Sequence, residues 1–77
     1  MSEPLLGSTG TLTSPIRGAG LLGEVQVAIR GGLELFVARA TEAIPVGATV
    51  LIIDVTPGCI VDVVPWIPPT TDPAERS

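Results

Sequence analysis

The segment Glu24-Val25-Gln26-Val27-Ala28-Ile29-Arg30 alternates apolar and polar side chains and runs straight into Gly31-Gly32. A period of two puts Val25, Val27 and Ile29 on one face and Glu24, Gln26 and Arg30 on the other, as a half-buried strand requires. The glycine pair supplies the positive φ angles of a two-residue hairpin loop, so Leu33 to Ala40 is expected to return alongside as a second strand. That return segment also carries a helical spacing. Leu33, Phe36, Val37, Ala40 and Ile44 fall on one stripe, with Pro45 placed to end a helix at Ile44. The hairpin signal favours a strand over Leu33 to Arg39.

The rest of the chain repeats the same grammar. Ala48 to Val55 is a nearly continuous β-branched run preceded by the turn Ile44-Pro45-Val46-Gly47. Thr56-Pro57-Gly58 reads as a type II turn, with Pro at its first central position and Gly at the second. Cys59 to Val64 forms a closing strand, and the Gly-broken, Thr-rich Leu6 to Thr13 a bent or bulged opening one. Val, Ile and Thr supply 24 of the 77 residues, which favours short strands over helices. Five short strands left as an open sheet would expose two edges, whereas closure into a small barrel satisfies them. The expected fold is therefore an all-β, five-stranded, OB-like barrel without a long helix. Leu12, Val25, Val27, Ile29, Leu35, Val37, Val50, Ile52, Val61 and Val63 are expected to fill it. Its expected bounds are residues 5–65, after a short arm (1–4) and before a Pro-rich tail (66–77) that is either an extended, solvated end or a polyproline ligand.

The side-chain inventory excludes most chemistry. The chain has no His, Lys or Tyr and a single Cys, Cys59. It therefore has no imidazole base, no usual zinc set, no Schiff-base or carrier lysine and no internal disulfide. No enzymatic activity, cofactor or metal is expected. Net charge is −4, with four Arg against eight acids, so a nucleic-acid partner is not expected. Apolar runs fall well short of a bilayer span, and the N-terminus lacks a signal-peptide pattern, so the chain reads as a soluble piece.

The pieces Leu6-Gly7-Ser8-Thr9-Gly10, Thr13-Ser14-Pro15-Ile16-Arg17-Gly18-Ala19-Gly20 and Gly23-Glu24-Val25-Gln26-Val27 occur in one order with four more. These are Ala38-Arg39-Ala40, Ile44-Pro45-Val46-Gly47, Val50-Leu51-Ile52-Ile53-Asp54-Val55 and Val61-Asp62-Val63-Val64-Pro65. Together they resemble the C-terminal soluble domain of NfeD-like proteins over about sixty residues. The resemblance implies an OB-like barrel without an inserted helix, a membrane-associated setting with this domain on the cytoplasmic side, and a flotillin- or stomatin-like scaffold partner. It departs from the family at Gly18, where Pro is frequent, and in having no membrane helix before Leu5. On this reading the chain is a non-catalytic interaction or assembly domain. A barrel that self-associates through its edge strands is the alternative, with OB-type ligand or oligonucleotide binding behind it.

Candidate contact residues are Arg17, Leu21, Leu22, Phe36 and Trp66. Arg17 lies in the Pro15-Ile16-Arg17 loop, and Leu21-Leu22 either cap the barrel or form part of an interface. Phe36 is the only aromatic residue within the expected strands. Trp66 is either a lid over one barrel end or an anchor for a partner or membrane surface. Asp54 and Asp62, on adjacent strands, are expected to be outward solubilising carboxylates rather than an acid pair or a hard-metal site. Cys59 is expected to be a small apolar filler.

Overall fold

The computed structural model describes residues 5–29, 31–58 and 60–66. Five strands are present, β1 (Thr9–Ser14), β2 (Leu22–Ile29), β3 (Gly32–Arg39), β4 (Thr49–Thr56) and β5 (Ile60–Pro65), and no helix occurs among the described residues. They close a barrel in the order β1-β2-β3-β5-β4, with β4 returning to β1. Every neighbouring pair is antiparallel except β3 and β5. The expected arm, most of the expected tail and Cys59 lie outside the described residues.

The β2–β3 hairpin explains both what the alternation rule predicts and where it misleads. Ile29 faces Gly32, so β3 begins at the second glycine of the pair rather than after it. Gly31 carries the left-handed backbone, with φ of 80°. Any two-residue loop pairs an odd-numbered residue with an even-numbered one. Val25 therefore faces Phe36, and Gly23 faces Ala38. Since facing residues share a side of the sheet, the odd positions buried on β2 require even positions inward on β3. Leu35 and Val37, expected in the core, point outward and are exposed. Ala38 is buried in their place, Phe36 packs against the core, and Ala40 continues the inward series just after the strand.

Leu12, Val25, Val27, Val50, Ile52, Val61 and Val63 are buried as expected, and Ile29 packs against them half-buried. Ile16 and Ile44 complete the cluster from outside the strands. Each donates its backbone N–H to the other's carbonyl, at 2.9 and 2.8 Å, tying the β1–β2 loop to the β3–β4 connection. Leu21 and Leu22, expected either to cap the barrel or to form part of an interface, are both exposed. The expected irregularity of β1 is a bulge between Leu12 and Ser14, and a second bulge lies on β4 between Ile52 and Asp54. At the β4–β5 turn Gly58 has φ of 98°, as the second central residue of a type II turn requires. The turn before β4 closes from Pro45 to Ala48, one residue later than expected, through Ala48 N–H donating to the Pro45 carbonyl at 3.3 Å.

Candidate functional site: the outer face around Arg39

The parity that turns Phe36 and Ala38 inward sends Leu33, Leu35, Val37 and Arg39 to the outside of the barrel. The parallel register sets Val37 beside Ile60 and Arg39 beside Asp62. On the far side of β5, Asp62 faces Asp54 and Ile60 faces Thr56. On the near side of β3, Arg39 faces Leu22 and Val37 faces Glu24. Four strands thus present one surface on which aliphatics flank a charged centre.

That centre is geometrically defined. Arg39 Nε donates to Asp62 Oδ1 at 2.8 Å, and Nη2 donates to Asp62 Oδ2 at 3.3 Å, a two-point carboxylate contact. Nη2 also donates to Thr56 Oγ1 at 3.3 Å. The hydrogen bonds that Arg39 donates to Asp62, together with the carboxylate's charge, hold the guanidinium above its ordinary pKa. Asp54 adds a smaller push in the same direction and accepts the Val55 backbone N–H at 2.9 Å. Asp62 is therefore more than the outward solubilising carboxylate expected of it, since it orients an arginine. With one guanidinium against two carboxylates, the local charge is −1.

Arg39, Asp54 and Asp62 line an open cleft of about 480 Å³, together with Gly20, Ile53 and Val64. The β1–β2 loop reaches the cleft because Gly20 N–H donates to the Ala40 carbonyl at 3.0 Å. Ile53, the residue displaced by the β4 bulge, is 50% exposed, and Leu22 is 56% exposed. A fixed charge pair ringed by exposed aliphatics suits recognition of another surface. The aliphatics lose water on contact, while the guanidinium is already held in one orientation. Among the described residues no group of three or more His, Cys, Asp and Glu side chains is placed to hold a metal ion.

The candidate residues read from sequence separate on this surface. Leu22 lies on it, across from Arg39, and Leu21 is exposed in the adjoining loop, its N–H donating to Gly18 O at 3.1 Å. Arg17 is exposed in the same loop and makes no ion pair or hydrogen bond with another described residue. Phe36 is on the opposite, inward face, half-buried against the core. Trp66 extends the β5 ladder through its N–H to the Thr49 carbonyl at 2.9 Å and is 38% exposed, so it is not a sealed lid. Sequence reasoning missed Arg39 as the centre, with Thr56, Ile53 and Val64 around it. The available signal was a lone charge inside each of two apolar strands, Val37-Ala38-Arg39-Ala40 and Val61-Asp62-Val63.

Two solved structures share this architecture. The C-terminal domain of stomatin operon partner protein 1510-C from Pyrococcus horikoshii is 27% identical, with a TM-score of 0.65 over 83% of this chain and 91% of that one. The soluble domain of the NfeD protein YuaF from Bacillus subtilis is also 27% identical, with a TM-score of 0.72 over 83% of this chain and 76% of that one. No curated protein matches the chain. The family model for the NfeD C-terminal domain matches residues 9–64, from the first residue of β1 to the penultimate residue of β5. With all five strands but their last residue, Pro65, and both bulges inside that match, the chain belongs to the NfeD C-terminal domain family.

Proposed function

We propose that this chain is a non-catalytic interaction domain that docks onto a stomatin- or flotillin-type membrane scaffold protein through the outer face around Arg39 and Asp62. The observation that carries the reading is the pairing of a fixed Arg39–Asp62 contact with half-exposed aliphatics at Leu22 and Ile53, on one face of one sheet. A relative described as a stomatin operon partner supports the choice of partner class. The interacting unit is residues 5–65, with residues 1–4 and 66–77 as flanking segments and the domain on the cytoplasmic side of the membrane. Among the described residues no helix is long and apolar enough to cross a membrane, so on this reading the domain reaches the bilayer through its partner or through a membrane segment elsewhere in its own protein. Nucleic acid is not a partner on this reading, because the face carries net negative charge.

The test is calorimetric titration of the domain into the soluble portion of a stomatin-type protein from the same organism. Leu22→Asp and Ile53→Asp should each weaken binding about thirtyfold, the effect of losing one interface anchor, while the circular dichroism spectrum stays unchanged. Undiminished binding by both folded variants would refute the assignment of this face. Absence of binding by the unmodified domain would refute the partner class.

A further inference from the structure

We propose that the open edge of β3, Gly32–Phe36, is a separate docking element that accepts an extended strand from a partner protein, with a basic residue opposite Glu34 and an aliphatic residue on each side of it. Along one side, β3 pairs with β2 over its whole length. Along the other, the described residues of β5 pair with Val37–Arg39. The backbone groups of Gly32–Phe36 that point away from β2 therefore have no strand in register beside them among the described residues. Sheet edges of this kind are normally blunted by Pro, Lys, a bulge or an inward-pointing charge. This stretch has only the last, Glu34, which opposes an acidic or apolar strand but admits one with a basic residue opposite it.

The side chains along the edge specify the occupant. Leu33 and Leu35 stand on the outer face, 65% and 54% exposed. Glu34 faces Val27 and so lies on the inward side, yet it is exposed, because β1 pairs with β2 no farther along than Val27. A strand laid alongside must set one residue against Glu34 on that side and its two neighbours outward beside Leu33 and Leu35. Cross-strand partners of opposite charge attract, and apolar partners share buried surface. The complementary pattern is aliphatic, basic, aliphatic. A second copy of this chain is a poor occupant, since antiparallel pairing about the centre of the edge sets Glu34 against Glu34 between two chains of net charge −4.

The proposal does not depend on the Arg39 face, and the test separates the two. The full chain, labelled with nitrogen-15, is titrated with the capped peptide Gly-Thr-Val-Lys-Val-Thr-Gly and with the same peptide carrying Glu in place of Lys. The Lys peptide should shift the amide resonances of Gly32–Phe36 and slow their hydrogen exchange. It should bind about threefold to fivefold tighter than the Glu peptide. Glu34→Lys should invert that preference without changing the fold. Four results would overturn the proposal: no shift at millimolar peptide, shifts confined to the Arg39 cleft, equal binding of the two peptides, or sedimentation showing that the edge pairs with a second copy.

Discussion

A close backbone approach at Gly23 gives the sharpest quantitative test. A Cβ added at Gly23 would lie 2.8 Å from the carbonyl oxygens of both Ser14 and Pro15 and 2.9 Å from Ile16 Cγ1. Ordinary contact begins at 3.4 Å, so the bulged end of β1 must retreat from β2 by about 0.6 Å (3.4 less 2.8). Two of the three obstructing atoms belong to the main chain and cannot rotate away. Such overpacking costs about 1–3 kcal/mol, against which Ala gains ~0.4–1 kcal/mol by restricting the unfolded chain. Gly23→Ala should therefore destabilise by roughly 1–2 kcal/mol, a fall in melting temperature of about 5–15 °C for a domain of this size. Gly32→Ala is the matched control, because its Cβ would meet nothing nearer than the Ile29 carbonyl at 3.7 Å. There only the unfolded-state effect operates, so the melting temperature should hold or rise by a few degrees, about 2–8 °C. Thermal unfolding followed by circular dichroism, with urea midpoints as a check, reads both variants. If Gly23→Ala melts within about 1 °C of the parent, or Gly32→Ala falls as far as Gly23→Ala, the steric reasoning is wrong.

Three further outcomes follow from the same geometry. Trimming the fully buried Ile52 to Val should cost about 0.5–1.5 kcal/mol and to Ala about 2–5 kcal/mol, read as a fall in urea midpoint at constant slope. Facing residues decide burial on β3, so Phe36→Asp should unfold the domain while Leu35→Asp leaves its melting curve nearly unchanged; equal damage from both would refute the register. Trp66 is the sole tryptophan, and its partial exposure predicts emission between the buried and solvated extremes, with ready quenching by acrylamide in the folded state.

The sequence made the strands legible because each depends on neighbours within a few residues: alternation at Val25-Gln26-Val27, left-handed glycines at 31 and 58, a β-branched run from Val50 to Val55. It misled at β3 because Leu35 and Val37 are larger apolar side chains than Ala38 and Ala40, and a hydrophobicity count favours them. Loop parity overrides that count. The register leaves no choice about which set turns inward, and that set includes Ala38, fully buried opposite Gly23. The Arg39 site was hidden for a different reason. Its members come from β3, β4 and β5, and the parallel contact joining Arg39 to Asp62 spans 23 residues, with nothing local to announce it. The two failures have one origin. The strand face that sequence reasoning placed in the core is the face that displays Val37 beside Ile60 and Arg39 beside Asp62. An apolar set left outside by parity costs the barrel burial, and that cost is offset only if something else covers it. The pattern that reads as an error in core prediction is thus the feature on which the proposed docking at this face rests.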